Sequence, residues 1–96
     1  MFMAIATLNG VVIAESADTV MVEGNHYFPP ASVKLEYFTE VAKTTGCPWK
    51  GTANYYDVAV EGAQASAAAW VYHDPKEAAA SIKNHIAFWG QVVVTD

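Results

Sequence analysis

Hydrophobic and polar residues alternate along much of the chain with a period of two, which is typical of half-buried β-strands. The first two such segments, residues 3–8 and 11–15, flank Asn9 and Gly10. This dipeptide readily supplies the two positive φ angles of a type I′ turn, so the pattern predicts a β-hairpin. Residues 19–23 are rich in β-branched side chains and predict a third short strand.

The segment after Gly24 is less regular. Its Pro-Pro pair cannot donate to a sheet ladder, so we expect an extended stretch followed by a helical turn near Pro30. Residues 34–38 predict a return to strand, whereas residues 40–45 are polar and fit either a loop or one turn of helix. Residues 53–61 alternate again and predict the longest strand of the chain.

A single helix is predicted over residues 75–84. Asp74 is a suitable N-cap, and the proline and glutamate that follow it are typical of a first helical turn. Short strands are predicted before this helix, at residues 69–72, and after it, at residues 85–89 and 91–95. The pattern therefore predicts one mainly β domain over residues 1–96, an antiparallel α+β arrangement with one short helix.

Composition and charge narrow the classes of function. The chain has 96 residues, of which 53% are hydrophobic and 16% charged, as expected of a compact globular protein. Ten acidic residues against five lysines, with no arginine, give a net charge of −5, which disfavours nucleic acid as a partner. The first residues lack the basic region of a signal peptide, and no segment has the roughly 18 apolar residues of a membrane span. We therefore expect a cytoplasmic protein with no membrane partner.

Cys47, the only cysteine, opens the segment CPWKGTANYYDV. A thiol reacts as the thiolate, and Lys50 could supply the positive charge that lowers a thiol pKa. Free cysteines are more often small buried hydrophobic residues, and we favour that interpretation here. Pro48 and Gly51 are typical of a tight connection between two strands.

Three histidines, His26, His73 and His85, are the other candidates for chemistry. No two of them have the spacing of a two-histidine metal site on a helix, and no second cysteine is present, so we expect no metal site and no cofactor. His26 lies between Asn25 and Tyr27 in the irregular segment, where polar groups can converge. We favour a structural role for it over general acid or base catalysis.

Large aromatic residues are the strongest indication of a binding site. From residue 49 onward they are Trp49, Tyr55, Tyr56, Trp70, Tyr72, Phe88 and Trp89. Alternation places Tyr55 and Tyr56 on opposite faces of their strand and Trp70 and Tyr72 on one face. Such rings either fill a core or line a partly open pocket, and the polar atoms of Tyr and Trp suit the lip of a cleft.

Four blocks, EGNHYFPPASV, CPWKGTANYYDV, AAWVYHDPKEAA and HIAFW, resemble in order and spacing the bacterial family called domain of unknown function 427. The resemblance covers nearly the whole chain and implies a β-tent-like architecture, similar to that of methionine sulfoxide reductase B and of the ligand-binding domain of cereblon. The reductase uses a catalytic thiol, and the cereblon domain forms a cage of tryptophans around a small ring. Many β-tent domains carry a four-cysteine zinc site, which Cys47 alone cannot form. The family supplies no mechanism for these residues.

We expect a soluble domain that binds an anionic or planar small molecule in a pocket lined by aromatic, histidine and lysine side chains. The ligand-binding candidates are His26, Trp49, Lys50, Tyr55, Trp70 and Tyr72. Two other classes of protein are consistent with the same sequence. One is a thiol-dependent enzyme with Cys47 as nucleophile and His26 as its base. The other is a protein interaction module, such as a homodimer formed through an exposed strand edge at residues 92–95.

Overall fold

A computed structural model describes residues 3–96, in which nine β-strands form three antiparallel sheets. The strands are β1 (Ala4–Leu8), β2 (Val11–Ser16), β3 (Val20–Val22), β4 (Asn25–Tyr27), β5 (Phe38–Cys47), β6 (Gly51–Val60), β7 (Ala63–Val71), β8 (Ile86–Phe88) and β9 (Val93–Thr95). The sheet orders are β2-β1-β9, β3-β4 and β5-β6-β7-β8. The predicted mainly β, antiparallel architecture is confirmed.

Two hairpins have the same two-residue turn. The predicted β1–β2 hairpin is confirmed, with φ of +51° at Asn9 and +78° at Gly10. A second hairpin joins β3 to β4 through Glu23 and Gly24, whose φ angles are +53° and +82°. The irregular segment predicted after Gly24 is confirmed for residues 28–37 but is wrong for Asn25–Tyr27, which form β4. Glutamate is seldom found at positive φ, so the sequence carries no signal for this turn.

Two predictions fail around the start of β5. Residues 34–38 are not a strand, because Leu35–Tyr37 forms a short 3-10 helix and the strand begins only at Phe38. Residues 40–45 are neither loop nor helix but part of β5, which is ten residues long and lies at the edge of its sheet. Most of its side chains face water, so it lacks the hydrophobic alternation by which strands are recognised.

The helix predicted near residues 75–84 is present as a 3-10 helix over Glu77–Ile82, with a kink at Ala79. It still covers part of the four-stranded sheet, because Ala79 and Ile82 are buried. The predicted helical turn near Pro30 is also a 3-10 helix, Pro30–Ser32. Within residues 3–96, no helix is long and apolar enough to cross a membrane.

The four-stranded sheet separates two hydrophobic clusters, because successive residues of a strand face opposite sides. On one side, Tyr56 packs against the larger cluster, which it shares with the β1–β2 hairpin. On the other side, Tyr55 packs against a smaller cluster. The larger cluster includes Ala6, Leu8, Ile13, Phe28, Val58, Ala69, Val71, Ile86 and Phe88. The smaller cluster is Tyr27, Ala53, Tyr72, Ala79, Ile82 and Ala87, with Val20, Val22, Cys47, Tyr55 and Trp70 packed against it.

The last two strands are where the sequence predicts them, but they belong to different sheets. β8 pairs with β7, and β9 pairs with β1, so the turn at Gly90 links the two larger sheets. β9 is an edge strand. Association of two copies through this edge stays a prediction.

Gly51 controls the turn between β5 and β6, and replacing it should destabilise the fold. Its φ is +113°, which side chains rarely adopt, whereas Gly46 of the same hairpin has open space around it and no positive φ. We expect Gly51→Ala to lower the free energy of unfolding by about 1–3 kcal/mol. Gly46→Ala should change it by less than about 0.5 kcal/mol. Urea unfolding of the two variants compares them, and equal effects would show that the turn is not strained.

Candidate functional site

A cavity of about 270 Å³ opens on the face of the four-stranded sheet that carries Tyr55. It is lined by Lys43, Lys50, Tyr55, Trp70, Tyr72 and Trp89. Four of these residues, Lys50, Tyr55, Trp70 and Tyr72, are among the six ligand-binding candidates of the sequence. The structure therefore gathers most of the predicted set in one place and adds Lys43 and Trp89.

Strand register explains how the rings come together. Tyr55 of β6 lies directly opposite Trp70 of β7, and cross-strand neighbours on one face are in contact range. Tyr72, two residues beyond Trp70, continues on the same face, as predicted. In β5 the register shifts between Val41 and Thr44, and such a bulge redirects side chains. Lys43 lies in this bulge, with its Nζ 5.0 Å from the centroid of the Tyr55 ring.

Polar partners hold the rings in place. The indole N–H of Trp70 donates to the hydroxyl of the fully buried Tyr27 at 3.1 Å, and the two rings meet edge to face. The Tyr55 hydroxyl lies 3.1 Å from Oγ1 of Thr45. Trp89 is 53% exposed, yet its indole N–H donates to the carbonyl of Ala67 at 2.6 Å. These hydrogen bonds give the cavity a preformed wall.

The β5–β6 turn places Lys50 at the same cavity. Cys47 pairs with Gly51, as the predicted tight connection requires, and Lys50 lies inside this turn. The turn is tied to the segment before the 3-10 helix, because the backbone N–H of Lys76 donates to the carbonyl of Lys50 at 2.9 Å. The Nζ of Lys76 also donates to the carbonyl of Pro48 at 2.6 Å. The position of Lys50 is thus fixed by its backbone.

Of the described residues, Lys50 alone is both charged and buried, with 8% of its surface exposed. Its Nζ forms an ion pair with the carboxylate of Glu23 at the tip of the β3–β4 hairpin. The same Nζ lies 5.4 Å from the centroid of the Trp49 ring and 5.6 Å from that of Tyr72. A buried ammonium needs such compensation, and aromatic faces supply part of it.

The ion pair shifts the pKa of both partners. Burial disfavours the charge on Lys50, but the hydrogen bond with Glu23 and the neighbouring tyrosine hydroxyls outweigh it and raise the pKa of the ammonium. The hydrogen bond from Lys50 lowers the pKa of the Glu23 carboxyl, and a hydrogen bond from Trp49 adds to this effect. Burial raises the pKa of the Tyr72 hydroxyl. At neutral pH the cavity therefore holds a charged lysine and a neutral tyrosine side by side.

His26 and Trp49 do not line the cavity. His26 is paired elsewhere, with Nδ1 at 2.7 Å from Oγ1 of Thr19 and Nε2 at 3.0 Å from the carboxylate of Asp96. Both ring nitrogens are thus occupied, and neither contacts Cys47. Cys47 is partly buried and packs against the smaller cluster. Trp49 is 40% exposed and lies beside the Lys50 ammonium without lining the cavity.

The remaining histidines have local partners. His73 lies 3.1 Å from the carboxylate of Glu40 and 3.2 Å from the side-chain oxygen of Asn84. His85 contacts the carbonyl of Lys83 at 2.9 Å. Across residues 3–96, no three His, Cys, Asp or Glu side chains converge in a way that could hold a metal ion.

Sequence reasoning missed Lys43, Trp89 and Glu23 as members of the site. Lys43 falls in the polar stretch that has no strand pattern, and only the pairing of β5 with β6 brings it to Tyr55. Trp89 is conspicuous in the sequence as an aromatic residue, but the residues next to it do not indicate that it borders this cavity. Glu23 is 27 residues from Lys50 in sequence, and no local signal connects the two.

Comparison with known families gives one match. A family model described as "Domain of unknown function (DUF427)" matches residues 4–95, which is nearly the whole chain and includes every residue that lines the cavity. No curated protein matches the chain.

Removing the Glu23 carboxylate should destabilise the protein in a pH-dependent way. Because the pKa of Glu23 is lowered in the folded state, its pairing stabilises the fold above its unfolded-state pKa and is lost as the pH falls through the folded-state pKa. We expect Glu23→Gln to be less stable than the wild type at pH 7, by a difference that shrinks as the pH falls towards 3. Urea unfolding between about pH 3 and pH 8 measures the difference.

Glu15→Gln is the matched control, because Glu15 is exposed on β2 and forms no ion pair within residues 3–96. Its stability should follow the wild type at every pH. A Glu23→Gln deficit that is the same at pH 3 and pH 7 would show that the carboxylate charge does not stabilise the fold.

Proposed function

We propose that this chain, which belongs to the DUF427 family of domains of unknown function, binds a planar aromatic anion in the cavity beside Lys50. The observation that carries the proposal is the composition of the cavity wall, where two ammonium groups stand among four large aromatic rings. Flat rings favour a flat ligand, and the ammonium groups favour a negative one.

The charge of the cavity contrasts with that of the whole chain. The net charge is −5, yet none of the six described residues that line the cavity is acidic and two are lysines. Within residues 3–96, Lys43 forms no ion pair, so its charge is free to attract a ligand. A concave surface of one sign concentrates ligands of the opposite sign.

The size of the cavity limits the ligand. A volume of about 270 Å³ is at the lower end of the range for small-molecule sites, so the ligand would have one or two fused rings rather than the size of a dinucleotide. The rings of Trp70 and Trp89 are held by hydrogen bonds before any ligand arrives. Preorganisation of this kind reduces the entropy lost on binding.

Two fluorescent probes with one ring system test the proposal. Naphthalene-1-sulfonate carries a negative charge, and 1-naphthylamine has the same two fused rings with an uncharged amino group in place of the sulfonate. We expect the sulfonate to bind the wild type and the neutral amine to bind at least about tenfold more weakly, because one charge-assisted hydrogen bond contributes that much. Lys43→Met and Lys50→Met should each weaken binding of the sulfonate by about fivefold or more and leave the neutral amine unchanged.

Lys34→Met is the matched control, since Lys34 is exposed and does not line the cavity. It removes the same charge from the protein and should leave both probes unaffected. Equal binding of the two probes, or equal losses in all three lysine variants, would contradict a specific anion site.

The thiol-dependent enzyme has weaker support. Cys47 packs against the smaller cluster, and His26 is bonded to Thr19 and Asp96 instead. Without a base in reach, the thiol lacks one of the usual means of activation. We therefore expect Cys47 to react with iodoacetamide at pH 7 no faster than free cysteine does. A rate about tenfold above that of free cysteine would revive the enzyme hypothesis.

A further inference from the structure

Glu23 has a backbone conformation that is unusual for glutamate. It occupies the first position of the two-residue β3–β4 turn with a φ of +53°. The equivalent position of the β1–β2 turn carries Asn9, a residue type that tolerates positive φ well. Glutamate is disfavoured in this conformation, so its presence here points to a role for its side chain rather than a role in forming the turn.

The side chain of Glu23 neutralises Lys50 from the solvent side. The Glu23 side chain is 52% exposed, whereas that of Lys50 is 10% exposed. Lys50 also lines the cavity, so one ammonium faces both the Glu23 carboxylate and any ligand in the cavity. Two anionic groups at one ammonium repel each other, so a ligand anion and the Glu23 carboxylate compete for Lys50.

The hairpin that carries Glu23 is anchored at its base by the buried Tyr27, whereas its turn at Glu23 and Gly24 is exposed. β3 and β4 have three residues each and form a sheet of two strands, an arrangement that is marginal on its own. β3 pairs only with β4, while β4 is followed by Phe28, whose backbone bonds to Ile86 in both directions. The turn at Glu23 can therefore move without breaking either of the larger sheets.

We infer that Glu23 is a tethered counter-ion, which occupies Lys50 in the free protein and is displaced when an aromatic anion enters the cavity. This inference rests on the proposed function of the cavity. Glu23 thereby sets the affinity of the site and excludes anions too weak to compete with it. Neutral planar molecules do not need Lys50, so Glu23 leaves their binding unchanged.

Glu23→Gln and Glu23→Asn test the displacement, the second because asparagine suits the positive φ and keeps the turn intact. Each variant is titrated with naphthalene-1-sulfonate and with 1-naphthylamine. We expect both variants to bind the sulfonate about fivefold more tightly than the wild type, with no change for the neutral amine. Glu36→Gln, which removes an exposed carboxylate that does not line the cavity, should leave both affinities unchanged.

A measurement on the wild type covers the case in which the variants do not fold. The carboxyl carbon of Glu23 is followed by ¹³C NMR through an acid titration, with and without a saturating amount of the sulfonate probe. Pairing with Lys50 lowers the pKa of Glu23, so displacement should raise it towards its ordinary value.

The outcomes separate the inference from the function on which it rests. If Lys50→Met loses the sulfonate but the Glu23 variants bind it within about twofold of the wild type, and the Glu23 titration is unchanged, Glu23 is only structural and the inference is overturned. If Lys50→Met binds the sulfonate as the wild type does, Lys50 does not contribute to anion binding. That result contradicts the role of Lys50 in the proposed function and, with it, the inference. Tighter binding of both probes by the Glu23 variants would also overturn it, because a looser cavity rather than charge would be the cause.

Discussion

Lys50 is a buried charged residue, with 8% of its surface exposed, and the need to neutralise it links parts of the chain that are far apart in sequence. The β5–β6 turn places the ammonium, and the β3–β4 turn brings the Glu23 carboxylate to it. The faces of Trp49 and Tyr72 complete its surroundings. Removing one partner of such a pair leaves a buried charge uncompensated, so the pair adds to the packing of Tyr27, Val20 and Val22 that holds the two-stranded sheet against the larger one.

Much of the fold could be predicted from the sequence, because hydrophobic alternation is local. It located β6, and it placed Tyr55 and Tyr56 on opposite faces and Trp70 and Tyr72 on one face. It failed for β5, an edge strand whose side chains mostly face water and therefore show no alternation. It also failed for the turn at Glu23, because the backbone there adopts a conformation that its residue type disfavours.

The residues of the candidate site also divide into those that the local sequence predicts and those that depend on contacts between distant segments. Lys50, Tyr55, Trp70 and Tyr72 could be chosen in advance because a turn and two strands fix their directions locally. His26 could not be judged from its neighbours, since its partner Asp96 lies 70 residues away and Thr19 is brought to it only by the pairing of β3 with β4. Lys43 joins the cavity through a bulge, which depends on pairing and not on composition. For a family of unknown function, these contacts identify the cavity as the feature to probe first.

The indole N–H signals of the three tryptophans provide the most direct test that a planar anion enters this cavity. Trp70 and Trp89 line it, whereas Trp49 lies outside it on the other side of Lys50. In a titration of the ¹⁵N-labelled protein with naphthalene-1-sulfonate followed by NMR, the Trp70 and Trp89 signals should shift together along one saturable curve. Unchanged signals for both residues at millimolar ligand, or a shift confined to Trp49, would contradict binding in this cavity.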